Sequence, residues 1–495
     1  MTIKDLEPKV VWNNFYQFTR IPRPSKHEEK IIAYLLDWGK SHGIETIKDE
    51  TGNIIMRVPA TPGFEDRKGV ILQGHMDMVP QKNNDTVHDF LTDPIETWID
   101  GEWLKAKGTT LGADNGLGVA MALSVLEDPS VKHGPVEILV TYDEETGMTG
   151  ARALKPGILN GDILINLDSE TEGELYVGCA GGLDATATGK YEKMPYPETG
   201  FACYELAVKG FKGGHSGMDI ILCRANANKV AARVLLPLLK EAGCKLCDLE
   251  GGTLRNAIPR EAFATVYVPD GNIAQAESIV AKVAAEVKAE YAATDPDAEF
   301  IFKPYECKEG EVCDHDEDCK YVEEKTAVKF IQAILACPDG VDRMSDAVPG
   351  LVETSNNMAM VKIEKGEFFV KSLLRSSVDS GKVFLATKLA SVFELAGCDV
   401  EFTGGYSGWA PNSASPILHT MKKVYNDLYG KEPQVMAIHA GLECGILGGT
   451  YPNWDMVSFG PTLMSPHSPD ERAFIPSVQK AWDFLKAVLE NIPVK

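Results

Sequence analysis

Hydrophobic positions in the first third of the chain follow two periods, which is the pattern of alternating helices and strands. Apolar residues at helical spacing, from Ile31 to Trp38, predict an amphipathic helix that ends near Gly43. A further helix is predicted over residues 115–127. Short apolar runs between polar turns predict strands at residues 54–58, 69–73, 136–142 and 162–167. Since such runs suit strands buried on both faces, we expect an α/β fold in which helices flank a mixed sheet.

The middle of the chain has a different pattern, which begins after the polar segment at residues 190–200. A strand, a helix, a hairpin around Pro259, a second helix and a strand predict the β-α-β-β-α-β order of a ferredoxin-like unit over residues 203–302. Residues 322–403 repeat this order from the first helix onward, but without a clear first strand. We therefore expect an inserted α+β domain of two ferredoxin-like units.

The α/β pattern resumes near residue 405, with helices predicted at 416–429 and 476–491 and strands at 434–438 and 455–459. The expected organisation is a body formed by residues 1–186 and 405–495, interrupted by the inserted domain at residues 187–404.

The net charge of −23 argues against nucleic acid or an anionic membrane as a partner, because both would repel the chain. The sequence contains no apolar run long enough to cross a bilayer, and Met1 to Leu6 lack the apolar stretch of a signal peptide. A cytoplasmic protein with reduced cysteines is expected. Cys244 with Cys247, and Cys313 to Cys319 around His315, have spacings seen in zinc sites, but neither group has a matching second pair.

Side chains that can bind metal follow the apolar runs of the body in five places. They are His75 with Asp77, Asp114, Glu144 with Glu145, Asp168 and His467. Each alone is weak evidence, because an isolated histidine or an acidic pair is usually a solvated turn. In open α/β sheets, however, ligands bind beyond the carboxyl ends of the strands, which would gather these groups at one edge. A mixed nitrogen and oxygen set of this kind suits zinc, manganese or cobalt.

The motifs around these residues resemble those of the M20 metallopeptidases. They are Gly-His-Met-Asp, Gly-Ala-Asp-Asn-Gly, Asp-Glu-Glu, Asn-Leu-Asp-Ser-Glu, Gly-Gly-His-Ser-Gly and a late Ser-Pro-His. In their order and over essentially the whole chain, they are most similar to the aminoacyl-histidine (Xaa-His) dipeptidases. The resemblance implies that the body is a catalytic domain and that the inserted domain is a lid.

The resemblance also implies a role for each motif residue. Two divalent ions, Zn2+ or alternatively Mn2+ or Co2+, would have five ligands: His75 and Asp168 on one ion, Glu145 and His467 on the other, and Asp114 bridging both. Asp77 would orient the His75 imidazole. Glu144 would be the general base that takes a proton from the attacking water.

Residues of the insert and of a late body segment would contact the substrate. By resemblance, His215 stabilises the oxyanion of the tetrahedral intermediate. Asn256 and Arg375 lie near the hairpin strands of the insert and are candidates for binding the substrate carboxylate. His439 and Glu443 are further candidate contacts, with Glu443 expected to bind a substrate amine.

The expected activity is hydrolysis of Xaa-His dipeptides, including β-alanyl-histidine, with a small peptide as the partner. Another M20-type activity, such as that of a tripeptidase or an N-acyl-amino-acid deacylase, stays open because the metal ligands do not encode the substrate side chain. A catalytically silent peptide-binding protein is the alternative of a different class. A homodimer is left open, and the duplicated insert leads us to expect that His215 acts within its own chain.

Overall fold

The computed structural model describes residues 2–195, 197, 199–305 and 320–495. Cys313, His315 and Cys319 lie outside the described residues. The chain divides into two compact units. The first contains Met1–Cys179, Trp409–Ala437 and Leu442–Lys495, and the second contains Ala180–Gly408 and Ile438–Gly441.

The first stretch of the chain alternates helices and strands, as its hydrophobic pattern predicts. In order, the elements are α1 (Lys9–Arg20), α2 (Glu29–Ser41), β1 (Glu45–Lys48), β2 (Ile54–Val58), β3 (Val70–His75), β4 (Thr97–Asp100), β5 (Trp103–Ala106), α3 (Ala113–Glu127), β6 (Val136–Thr141), α4 (Glu144–Gly147), α5 (Thr149–Ala153), β7 (Ile163–Asn166) and β8 (Glu174–Cys179).

The second stretch consists mainly of long antiparallel strands. Its elements are β9 (Gly181–Lys190), β10 (Lys193–Met194), β11 (Phe201–Lys209), β12 (Gly214–His215), α6 (Ala227–Lys240), β13 (Lys245–Gly251), β14 (Ala257–Ile258), β15 (Ala262–Pro269), α7 (Ile273–Glu290), β16 (Glu299–Pro304), β17 (Tyr321–Val322), α8 (Glu324–Ala336), β18 (Gly340–Met344), β19 (Val352–Glu364), β20 (Glu367–Ser376), α9 (Asp379–Leu395) and β21 (Asp399–Tyr406).

The last stretch returns to helices and short strands. Its elements are α10 (Pro416–Tyr429), β22 (Gln434–Ile438), α11 (Glu443–Thr450), β23 (Asp455–Ser458), β24 (Leu463–Met464), β25 (Arg472–Phe474) and α12 (Ile475–Glu490). Each helix among the described residues is too short or too polar to cross a membrane.

The main sheet of the first unit is mixed, with the strand order β1-β2-β6-β3-β7-β23-β8-β22. At its centre, β3 runs parallel to both β6 and β7, and β23 runs parallel to β7. Every residue of β3, β6 and β7 is buried, which explains their continuous apolar sequences. This sheet confirms the predicted α/β fold, and its parallel centre brings the carboxyl ends of three buried strands to one edge.

The large sheet of the second unit has the order β16-β11-β15-β13-β19-β20-β9-β21. One half consists of β11, α6, β13, β15, α7 and β16, which is the predicted β-α-β-β-α-β order. The other half consists of α8, β19, β20, α9 and β21, and its first strand is β9, which pairs with β20 and β21. The first half is thus inserted between β9 and α8.

This arrangement explains why the sequence pattern shows no first strand for the second repeat. The missing strand lies before the first repeat, and the predicted boundary between residues 186 and 187 falls within it. Its core face is formed by small residues such as Ala185 and Ala187, so no run of large apolar side chains indicates a strand. Whether the second unit moves as a lid stays a prediction.

The core of the second unit spans both halves of its sheet and includes stacked aromatic rings. Phe368 is 1% exposed, and its ring centroid lies 4.2 Å from that of Phe330, with an angle of 10° between their planes.

We expect Phe368→Ala to lower the free energy of unfolding by about 3–5 kcal/mol, because it leaves a cavity in a packed core. Urea unfolding measures this loss. Phe384→Ala, on the exposed face of α9, is the matched control and should change it by less than about 0.5 kcal/mol; equal midpoints for both variants would contradict the assignment.

Candidate metal centre

Seven of the predicted site residues lie at one edge of the main sheet of the first unit. His75 ends β3, and Asp77 follows two residues later. Glu144 and Glu145 begin α4, directly after β6, and Asp168 lies two residues beyond β7. Because these three strands are parallel, their carboxyl ends bring the five residues together. Asp114 at the start of α3 and His467 in the loop after β24 complete the group.

The carboxylate of Asp114 lies between two imidazoles. Its Oδ1 is 3.0 Å from Nε2 of His75, and its Oδ2 is 3.1 Å from Nε2 of His467. The same nitrogen of His75 lies 3.4 Å from Oδ1 of Asp168, and that of His467 lies 3.0 Å from Oε2 of Glu145. The five side chains therefore form two three-membered groups that share Asp114.

Asp77 lies beside the imidazole of His75. Its Oδ1 lies 3.2 Å from Nδ1 of the imidazole, on the side of the ring opposite to Nε2, which faces Asp114. Asp77 also accepts hydrogen bonds from the backbone N–H groups of Glu144, at 3.0 Å, and Glu145, at 3.2 Å. One buried carboxylate thus connects the end of β3 to the turn that carries both glutamates.

The donor atoms of this site fit divalent metal ions. Two ligands on one tetrahedral zinc lie about 3.3 Å apart, and the separations around Asp114 are close to this value. His75, Asp114 and Glu145 each place one donor atom within 4.8 Å of the others. Oε1 of Glu145 is buried, with no hydrogen-bond partner among the described residues. A cation would provide the missing partner for this oxygen.

Electrostatics also favours cations here. Burial, assisted by the charges of Asp114 and Glu145, raises the pKa of the Asp168 carboxyl to about 7. Burial likewise raises the pKa of Glu144 well above its usual value, and the neighbouring carboxylates add to the effect. Two imidazolium ions would neutralise only two of the carboxylates gathered here. Divalent ions would offset the remaining repulsion, which is the usual solution for buried acidic groups.

A chain of buried polar side chains lies across the sheet next to the site. Asn166 Nδ2 donates to Oε1 of Gln73 at 2.6 Å, and Gln73 Nε2 donates to Oε2 of Glu443 at 2.6 Å. Thr141 donates to the same Glu443 oxygen at 2.7 Å. Oε1 of Glu443 is buried without a hydrogen-bond partner among the described residues, so this carboxylate has one oxygen held and one available.

The other predicted residues lie in the second unit. His215 ends the short strand β12, and its Nδ1 accepts hydrogen bonds from the N–H groups of Gly217, at 3.3 Å, and Met218, at 3.1 Å. Burial and then the charge of Arg375 lower the pKa of His215. The same two causes lower the pKa of His439 to about 3, so both imidazoles are neutral at pH 7.

Asn256 differs from the other predicted residues of the second unit, because its side chain is exposed. Its backbone carbonyl accepts a hydrogen bond from the N–H of Ser216, at 2.8 Å. Ser216 in turn receives a hydrogen bond at 3.3 Å from Nε of Arg375, which is buried. The structure thus places the backbone of Asn256 beside the His215 segment.

The model of peptidase family M20/M25/M40 matches residues 71–491 of this chain. The chain belongs to this family. The matched region contains every ligand candidate, and the match confirms the resemblance drawn from the motifs.

Two relatives match over their full length. A cytosol non-specific dipeptidase of Escherichia coli (strain K12) is 45% identical over 493 residues, which cover 100% of this chain and 99% of the relative. The crystal structure of aminoacylhistidine dipeptidase from Vibrio alginolyticus superposes with a TM-score of 0.93 at 47% identity, covering 100% of this chain and 99% of that one. Aminopeptidase PepT from Bacillus cereus ATCC 10987 shares the fold, with a TM-score of 0.57 at 16% identity over 98% of this chain and 99% of that chain.

Several residues that support the site have weak sequence signals. Gln73 and Asn166 are polar residues within apolar strands, a pattern that could have indicated a buried network. Glu471 follows His467 by four residues and could have been read as part of the same motif. Arg23 lies between two prolines and has no local pattern that indicates its buried position.

Proposed function

We propose that this member of the M20/M25/M40 family is a dipeptidase that uses two divalent metal ions. The observation that carries the proposal is the position of the Asp114 carboxylate between the imidazoles of His75 and His467. Asp168 would complete the group around His75, and Glu145 the group around His467. Zn2+ suits this set of nitrogen and oxygen ligands, and Mn2+ and Co2+ are the alternatives.

Metal ions bound here would polarise the scissile carbonyl and lower the pKa of the attacking water. Glu144 would accept the proton from that water and pass it to the leaving amine. Burial raises the pKa of Glu144, which favours the second step, in which the residue holds the proton before passing it to the leaving amine. Glu145, the next residue, faces His467, so the two adjacent glutamates would divide proton transfer and metal binding.

His215 would stabilise the oxyanion as a neutral hydrogen-bond donor. Two backbone N–H groups occupy its Nδ1, so the proton of the neutral ring must lie on Nε2. That tautomer has the N–H donor that an oxyanion requires. The lowered pKa keeps the ring in this form at neutral pH.

Charged groups suited to the two ends of a dipeptide are present. In the first unit, the free buried oxygen of Glu443 could bind the substrate ammonium group. In the second unit, the buried guanidinium of Arg375 could bind a carboxylate, with His439 and Asn256 as further contacts. These assignments depend on the family resemblance and on the burial and charge of each residue.

Xaa-His dipeptides, including β-alanyl-histidine, are the proposed preferred substrates. The Vibrio alginolyticus relative is an aminoacylhistidine dipeptidase, whereas the Escherichia coli relative is a non-specific dipeptidase. An assay must therefore distinguish an enzyme that prefers dipeptides with a C-terminal histidine from one that hydrolyses many different dipeptides. We assign the chain to the cytosol, as for the Escherichia coli relative, and leave a homodimer open.

A substrate panel tests the proposal. Purified protein is assayed with β-alanyl-histidine, other Xaa-His dipeptides, Leu-Gly, a tripeptide and an N-acetyl amino acid. We expect hydrolysis of dipeptides that is lost on chelation and restored by Zn2+, Mn2+ or Co2+. Cleavage of the tripeptide or the N-acetyl amino acid alone would move the protein to another M20-type activity. Metal binding without turnover of any substrate would support a silent binding protein.

Glu144→Gln separates the proposed base from the proposed ligands. We expect kcat to fall by about 10²–10⁴-fold, because the glutamine amide has the size of the glutamate carboxylate but cannot accept the proton. The metal content, measured by mass spectrometry of the desalted protein, should stay at the wild-type level. Glu145→Gln is the matched comparison and should lose metal as well as activity. Equal loss of metal in both variants would contradict the division of roles.

His215→Ala tests the proposed oxyanion donor. We expect kcat to fall by about 10²–10³-fold with no change in metal content, and Lys212→Ala, in the same glycine-rich segment, to leave kcat unchanged. Mixing Glu144→Ala chains with His215→Ala chains then shows which chain provides the imidazole. Since we expect His215 to act within its own chain, the mixture should stay inactive. Recovered activity would show donation between chains.

A further inference from the structure

Glu471 is a buried carboxylate that binds the backbone next to Asp114. It is 2% exposed and lies immediately before β25. Its Oε2 accepts hydrogen bonds from the N–H groups of Leu111, at 2.7 Å, and Gly112, at 2.9 Å. Its Oε1 accepts from those of Ala113, at 2.8 Å, and Asp114, at 3.3 Å. One side chain therefore binds four successive N–H groups that end at the shared carboxylate of the metal centre.

The segment from Leu111 to Asp114 has little other support from regular structure. It precedes or begins α3, where N–H groups have no partner within the helix. Asp114, with ψ of 113°, departs from helical geometry, and Gly112 has a φ of 69°. A side chain at Gly112 would also place its Cβ 2.6 Å from Nη2 of Arg23. The carboxyl oxygens of Glu471 thus accept the hydrogen bonds for which the helix itself has no acceptor.

Arg23 binds the same segment from its carbonyl side. Its Nη2 donates to the carbonyl of Gly112, and its Nη1 donates to those of Met76, at 3.0 Å, and Asp77, at 2.8 Å. This guanidinium connects the Asp114 segment to the His75 segment, as Glu471 connects it to the loop of His467. Since Arg23 already fixes one side, the contribution specific to Glu471 is the link to His467.

The loop of His467 is closed by a backbone hydrogen bond, from the N–H of Glu471 to the carbonyl of Ser468, at 2.9 Å. The imidazole itself is 53% exposed, so packing alone does not fix its position. His467 also has a left-handed φ of 58°, which is unfavourable for a residue with a side chain. Its distance from Asp114 therefore depends on the anchoring of its loop.

We propose that Glu471 is a positioning residue that holds the His467 imidazole and the Asp114 carboxylate at the separation needed to share one metal ion. Through one carboxylate, it anchors the loop of His467 to the backbone of Asp114. This inference rests on the proposed function, because it makes the binding of the metal ion between Asp114, Glu145 and His467 depend on Glu471.

Glu471→Gln in the full chain tests the inference. The amide keeps the size of the side chain, but its NH2 group would face two of the N–H donors, so at most two of the four hydrogen bonds survive. We expect the affinity for one of two Co2+ equivalents to fall at least ten-fold in calorimetric titration of the metal-free protein. The visible spectrum of the Co2+ protein should also change, because the coordination of that ion is altered.

Glu137→Gln is the matched control. Glu137 is a buried carboxylate of β6 that accepts hydrogen bonds from the N–H groups of Asn160, at 2.6 Å, and Gly161, at 2.9 Å. It lies at the amino end of the strand, away from the edge that carries the metal centre. This variant should lower the melting temperature while leaving Co2+ affinity within two-fold and the spectrum unchanged.

Glu471→Asp keeps the charge on a shorter side chain and is measured in parallel, since it guards against misfolding of the glutamine variant. We expect Co2+ affinity between those of the wild type and Glu471→Gln. If a Glu471 variant that folds has the Co2+ affinity and the visible spectrum of the wild type, the inference about Glu471 is wrong, whereas the proposed function is unaffected. A wild-type protein that binds no divalent metal would instead overturn the proposed function and, with it, this inference.

Discussion

The gathering of several carboxylates at one buried sheet edge is the constraint on which the rest of the first unit depends. Burial, and then repulsion between the carboxylates, raises the pKa of Asp168 and Glu144, so the ionised forms need strong compensation. Two imidazoles, a buried guanidinium and several backbone N–H groups supply part of it, and divalent ions would supply the rest. Asp77 and Glu471 share one arrangement, in which a buried carboxylate accepts hydrogen bonds from backbone N–H groups of a segment that carries ligand candidates.

The fold meets this constraint by combining rigid strands with anchored loops. β3, β6 and β7 are buried along their whole lengths, and their parallel pairing brings His75, Glu145 and Asp168 to one edge. The two remaining ligand candidates lie at the start of α3 and in the loop after β24, and they need other support. Asp114 is held by hydrogen bonds to its backbone, and His467 is held by the short loop that ends at Glu471. Precision at the site therefore depends as much on buried polar contacts as on the sheet.

The second unit illustrates how a duplication can be hidden in sequence order. Each half of its sheet follows the β-α-β-β-α-β order, yet the first strand of one half precedes the other half entirely. A common hydrophobic core spans both halves, so the two repeats fold as one compact unit. His215, Arg375 and His439 all belong to this unit, although His439 is separated from the other two by a segment of the first unit.

The sequence by itself determined the type of fold, the family and the candidate ligands, because strand periodicity and short motifs are local properties of the chain. It predicted the strands that lead into His75, Glu144 and Asp168, since an apolar run and the polar residue after it are adjacent in sequence. Only the tertiary structure decided that Asp114 lies between two imidazoles, that β9 completes the second repeat, and that Arg23 and Glu471 hold the ligand loops. These depend on pairings between residues up to several hundred positions apart, and no local pattern records which distant N–H or carbonyl a buried charge will find.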